Sequence, residues 1–347
     1  KEKGLVATGL GMDIEDCTDL WWHLPRGRGQ GGKVAWNSPN LVDSTGPIAV
    51  VSTPAPVATL MVSNLLNGVI EVEGEDAKYD PTGGAASFLV RTLATLASHS
   101  TSAGAVKGEL PCSSRLREWS RDNSGVFVVQ EFVPDANRLR RYVQCRLLHP
   151  RDLCKVFCCL VMALSTLQNR LQFVHNDLYG SNVMIRELPA TVHQWGDAFD
   201  EQIQFKTNLY AVIVDADNAA FNFSGTRYVS QEAYAHTSGK TRHFYNWFDF
   251  AYLIGDILDI YDLNEWYSEQ DCGKALGPHD LRPICIDILQ NLFPNIAAEN
   301  LDRSVYKRNA KNKRVPYNQG KQAATLSRQA NPRNMTNRVV QLANSNE

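Results

Sequence analysis

The stretch His175-Asn176-Asp177-Leu178-Tyr179-Gly180-Ser181-Asn182-Val183-Met184-Ile185 decides how this 347-residue chain is read. Just upstream, Leu153, Val156, Phe157, Leu160, Val161, Leu164 and Leu167 recur at steps of three and four, which predicts an amphipathic helix over residues 152–171. Just downstream, Val183, Met184 and Ile185 predict a short strand. Between helix and strand sit an aspartate and an asparagine, Asp177 and Asn182, on a segment whose Gly180 and Ser181 suit a tight loop.

Further along, Ala211-Val212-Ile213-Val214 predicts a second short strand near residues 210–214, ending in Asp215-Ala216-Asp217. The residues between the two strands read as a polar and acidic insertion. Residues 247–260 are apolar on nearly all sides, which predicts a helix buried in the centre of a domain, with Asp249 near its start. Leu281, Ile284, Cys285, Ile288, Leu289, Leu292 and Phe293 trace another amphipathic helix. Upstream of the loop, residues 126–133 read as a buried strand closed by Pro134 and Asp135, and 138–148 as a charged surface helix. Residues 1–125 are rich in Gly, Ser, Thr and Ala. Their apolar runs 48–51 and 57–62 suggest strands, 84–98 suggests a helix, and 80–84 a turn. No internal repeat is apparent. Strands first and helices later predict an α+β protein.

The chain is long enough for two lobes, and 44% hydrophobic with 21% charged residues is an ordinary soluble composition. The longest uncharged stretch, between Asp43 and Glu71, is broken by Pro47, Pro54 and Pro56, which argues against a membrane span. No charged-then-apolar leader is visible. Eight cysteines without any C-x-x-C pair fit neither a disulfide framework nor a metal cluster; they read as reduced thiols of a cytoplasmic or nuclear protein. The net charge of −2 hides an asymmetry: residues 303–346 hold ten Lys or Arg and no acid. That tail, 301–347, reads as disordered or wrapped on a partner, and as a contact for a polyanion or an acidic surface.

The His-Asn-Asp-Leu-x-x-x-Asn loop and the strand ending in Asp215 resemble the protein-kinase-like phosphotransferases, in a form closer to small-molecule and divergent viral or atypical kinases. The resemblance covers residues 126–293 best and 20–125 weakly. It implies a two-lobe α+β fold: a β-rich lobe over 1–130, a helical lobe over 131–300, and the tail. It also implies ATP and Mg²⁺ as cofactors. Asp177 would be the base, and Asn182 and Asp215 the metal ligands. His175 would pack and hydrogen-bond rather than react, and Asp249 would brace the loop from below. Gly27, Gly29 and Gly32, in a G-x-G-x-x-G-x-V match that continues through Lys33 and Val34, would cover the phosphates. Glu131 and Val133 would meet the adenine edge with backbone groups.

There are departures. Asn176 replaces an arginine that pairs with activating phosphates, Tyr179 a lysine, and Ala216 and Asp217 the Phe and Gly after the metal-binding Asp. The phosphate-pairing strand lysine is missing, since the run 48–51 carries valine there; Lys33, or Lys78, would substitute. No Ala-Pro-Glu follows residues 218–246. The expected activity is transfer of a γ-phosphoryl group to a hydroxyl acceptor, a protein Ser or Thr first and a small molecule second. The rival reading is a pseudokinase, a nucleotide-binding or scaffold module. A third is a structural protein anchored to nucleic acid or a particle by its basic tail.

Overall fold

Apolar strands and a strongly periodic helix build the frame that holds the loop 175–182. A computed structural model describes residues 35–36, 48–53, 92–98, 125–130, 133, 135–199, 201–223, 226–230, 240–273 and 275–345. The protein mixes α-helices with small, mostly antiparallel sheets.

Two compact units divide the described elements. The first holds β3 (Thr92–Ser98) and β4 (Gly125–Gln130), an antiparallel pair running from Thr92 opposite Gln130 to Ser98 opposite Gly125. The helix expected over 84–98 is therefore corrected: residues 92–98 form a strand. A run of Thr, Leu and Ala permits either state, and pairing with the valine-rich β4 decides it.

The second unit holds everything else, including β1 (Ala35–Trp36) and β2 (Ile48–Thr53). β1 and β2, which fall within the expected N-terminal lobe over 1–130, thus group with the second unit, where β2 runs parallel to β9 (Thr226–Ser230). With β8 (Phe221–Phe223) they form a sheet in the order β1-β2-β9-β8. After β5 (Ala136–Arg138) comes α1 (Leu139–Gln144), which is short and buries Leu139, Val143 and Gln144. It is not the surface helix expected over 138–148. Cys145 caps it and is disulfide-bonded to Cys272, so this pair departs from the expected reduced thiols. Cys154, Cys158, Cys159 and Cys285 are free and buried, and burial raises their thiol pKa values, which makes them inert.

Helix α2 (Pro150–Leu171) forms where the periodicity placed it. Pro150 occupies its first turn, and the His149 ring accepts the Arg151 N–H at 3.2 Å. Its apolar stripe, from Leu153 through Leu164, is buried against β6 (Val183–Ala198) and β7 (Glu201–Ile213). The expected short strands are the base of this long hairpin, whose ladder runs from Val183 opposite Ile213 to Ala198 opposite Glu201. The supposed insertion is its outer part. Ile203, Phe205, Thr207 and Leu209 alternate inward while Gln202, Gln204, Lys206 and Asn208 face solvent.

Helix α3 (Phe248–Asp262) is buried on most sides, and α4 (Glu269–Cys272) and α5 (Arg282–Leu292) follow. The tail is folded, contrary to expectation. It comprises α6 (Leu301–Val305), the β10 (Tyr306–Arg308) and β11 (Arg314–Pro316) hairpin, α7 (Gly320–Gln329) and α8 (Pro332–Asn344). Met335, Val339 and Ala343 recur every four residues as a narrow buried stripe, and α8 packs on α2, α5 and β7. Five of the ten basic residues of 303–346 pair with acids among the described residues: Arg308 and Arg314 with Asp259, Arg314 also with Asp262 and Asp302, Lys313 with Glu265, Arg333 with Glu201, and Arg338 with Asp287. Among the described residues no helix is long and apolar enough to cross a membrane.

Candidate active site

Two loops are clamped side by side. Helix α2 stops at Gln172, whose left-handed backbone (φ 45°) turns the chain out of the helix. Val174 then exchanges two backbone hydrogen bonds with Ala220, each 2.8 Å. On the far side of the loop, Val214 N–H donates to the Asn182 carbonyl at 3.0 Å, and Val183 faces Ile213 in the ladder. Residues 175–182 and 214–219 are thus pinned to each other at both ends, which brings Asp177 and Asp215 into one neighbourhood.

Helix α3 carries the supports beneath the first loop. Asp249, fully buried, accepts the backbone N–H of His175 at 2.8 Å and of Asn176 at 3.0 Å. The bracing role implied for Asp249 is therefore its observed role. Asp256 lies two turns further on the same helix face and accepts the Gly180 N–H at 2.9 Å. Arg140 of α1 closes this end: its Nη1 lies 2.5 Å from Asp256 and its other Nη bonds Glu265, while its own N–H donates to the Gly180 carbonyl at 2.9 Å. Burial pushes the Asp249 carboxyl up to about 7, against the pull of the two amides. Burial also pushes His175 down to about 4, so its imidazole is neutral at neutral pH and Nε2–H donates to the Val214 carbonyl at 3.1 Å.

The opposite side of the loops carries a group of polar and charged side chains. Asp177 Oδ1 lies 3.9 Å from Lys240 Nζ, and Asn218 Nδ2 lies 3.5 Å from Asp177 Oδ2. The same Asn218 nitrogen donates to Asp217 at 2.9 Å. Asn182 Nδ2 donates to the Asp177 main-chain carbonyl at 2.9 Å, and its amide oxygen takes no part in that bond. Asp215 is exposed and holds a left-handed backbone (φ 65°), a conformation that Asp tolerates better than most residues. Burial, together with the charge and hydrogen bond of Asp215, pushes the Asp217 carboxyl up to about 6.

Asp177, Asn182 and Asp215 are therefore brought together. Val133 is half-buried and belongs to the second unit. Gly27, Gly29, Gly32, Lys33, Lys78 and Glu131 lie outside the described residues. Sequence reasoning missed Asp256, Asn218, Lys240 and the share of Asp217. Asp256 had a signal, being an acid two helical turns after Asp249 within the mostly apolar run 247–260. Lys240, in Ser-Gly-Lys-Thr-Arg, had none.

Among the described residues no group of three or more His, Cys, Asp or Glu is arranged to hold a metal ion by itself. The oxygen donors present nevertheless suit a hard cation that keeps several waters and binds through one or two carboxylates plus phosphates. The crowding of Asp215 and Asp217 is the negative charge such a cation relieves. Comparison with known protein families and with curated proteins finds no match for this chain.

Proposed function

We propose that the chain is an ATP-dependent phosphotransferase that moves the γ-phosphoryl group to a hydroxyl acceptor, with a protein Ser or Thr as the foremost candidate. The observation that carries this reading is the placement of Asp177 on a loop braced by Asp249 and Asp256, with Asn182 on its own carbonyl and Asp215 clamped alongside. Phosphoryl transfer asks little covalent chemistry of a protein and much positioning, which is what this bracing supplies.

In this reading Asp177 accepts the proton of the acceptor hydroxyl as its oxygen bonds to the γ-phosphorus. The bond from that phosphorus to the bridging oxygen breaks, and ADP leaves with the electron pair. Asn182 and Asp215 hold Mg²⁺, which when bound offsets the charge on the phosphates. His175, neutral and bonded to the Val214 carbonyl, keeps the two loops in register.

Calorimetric titration with MgATP tests the site. Asp215→Asn is expected to abolish MgATP binding while leaving the melting temperature nearly unchanged, because an exposed carboxylate at a strand end is not core packing. Undiminished MgATP affinity in Asp215→Asn would overturn the assignment.

A further inference from the structure

We infer that Lys240 is the cation facing the phosphoryl group in transfer, and that Asn176 is the latch that presents it. The inference deepens the phosphotransferase reading and rests on it. The loop 175–182 contains neither Lys nor Arg, so a positive charge beside Asp177 must come from elsewhere in the chain. Lys240 brings it. Its Nζ lies 3.9 Å from Asp177 Oδ1, and its side chain is only 11% exposed.

Distance places this ammonium beside the proposed base. A base must come within about 3 Å of the hydroxyl it serves. That hydroxyl must in turn approach phosphorus to within about 3–3.5 Å. A cation 3.9 Å from the base therefore lies no more than about 10 Å from the phosphorus, and on the acceptor's side of Asp177 it reaches the phosphoryl oxygens. In that position it neutralises charge without any rearrangement at the moment of reaction.

The segment bearing Lys240 is held from two sides. Asn176 Oδ1 accepts the Thr241 N–H at 2.9 Å, and Asn176 Nδ2 donates to the Thr241 carbonyl at 2.9 Å. This two-point pairing of carboxamide with peptide fixes both position and orientation. The same Nδ2 reaches the Asn218 carbonyl at 3.1 Å, so one buried side chain ties together the loop, the turn after β7 and the Lys240 segment. From the other side, Asn318 Nδ2 donates to the Lys240 carbonyl at 2.8 Å, and Thr241 Oγ1 donates to the Asn318 carbonyl at 3.1 Å. Lys307 Nζ in turn holds Asn318 Oδ1 at 2.9 Å. Asn176 also suits its backbone, whose φ of 68° is a conformation that asparagine adopts more readily than most residues. Asn176 touches no reacting atom in this scheme; it is a positioning residue acting through Lys240.

The test is a comparison of MgATP and MgADP affinities by calorimetry, since only ATP carries the γ-phosphate. Lys240→Met is expected to weaken MgATP about tenfold, the scale of one charge-assisted contact, and to leave MgADP within about twofold. Lys240→Arg is expected to recover most of the loss. Asn176→Asp keeps the acceptor for Thr241 N–H but sets a carboxylate against two carbonyls. It should reproduce the ATP-selective loss and add nothing to Lys240→Met in the double variant. If the Met variant does not fold, Lys240→Gln serves the same comparison. A Lys240 variant that binds MgATP like wild type, or that loses both nucleotides equally, overturns the inference while the phosphotransferase reading stands. Wild-type protein that binds no MgATP overturns both.

Discussion

At Gly180 the absence of a side chain lets the loop sit against α1. A Cβ there would stand 3.0 Å from the Arg140 backbone nitrogen and 3.1 Å from its Cα, and backbone cannot swing aside as a side-chain tip can. The Gly180 peptide is fixed on both sides, donating to Asp256 and accepting from Arg140. Gly180→Ala is therefore expected to cost about 1–3 kcal/mol, the scale of overpacking, and to lower turnover more than nucleotide affinity. Thermal melts paired with turnover measurements check this; a variant as stable and as active as wild type would contradict it. At this scale the sequence was legible in which polar residues the fold brings together. Asp177, Asn182 and Asp215 stand at the ends of apolar elements, where such groups are set on rigid frames. Gly180 could be read only as a turn residue, because what excludes a Cβ is the backbone of Arg140, remote in sequence. Lys240 was invisible for the same reason, since the Asn176 pairing that delivers it is tertiary.

Among the elements, α3 does the most for the site, and its effect should appear in the pH dependence of stability. His175 sits near 4 in the folded protein against an ordinary value of 6.5, so unfolded chains bind more protons between those values. Its contribution is present above pH 6.5 and is lost as pH falls to 4, by about 3 kcal/mol. Asp249 has the opposite sign. Its folded value of about 7 against an ordinary 3.8 means that its contribution is present at low pH and is lost as pH rises through 7. The two offset each other over one window in the wild type. Asp249→Asn removes one side, so the variant's stability should fall steeply between pH 6.5 and 4 where the wild type's is flatter. Denaturant unfolding at several pH values measures both slopes, and parallel profiles would contradict the assignment. Strongly periodic elements such as α2, α3 and α5 were legible because burial enforces their period. The alternation of Ile203, Phe205, Thr207 and Leu209 was present in the sequence too, but its polar outer face made it look like an insertion. Residues 92–98 were not legible, because their state depends on β4 as partner.

Over the whole molecule, charge explains the largest difference between expectation and structure. The stretch 303–346, with ten basic residues and no acid, looks like an arm for polyanions when read alone. In the fold it is the counter-charge to Asp259, Asp262, Glu265, Asp287 and Asp302, and it carries Asn318 to the Lys240 segment. Composition records the charge of a segment but not which surface it meets, so the pairing could not be read from the sequence. The tail thereby becomes part of the site's support. The central claim, that Asp177 is the base of a phosphoryl transfer, is tested most directly by labelled γ-phosphate transfer from MgATP. Incorporation into casein and release to water are measured for wild type and Asp177→Asn. The expected result is a fall of about 10²–10⁴-fold in the variant with MgATP affinity unchanged, the scale of general-base assistance. Equal rates in the two proteins would contradict the claim.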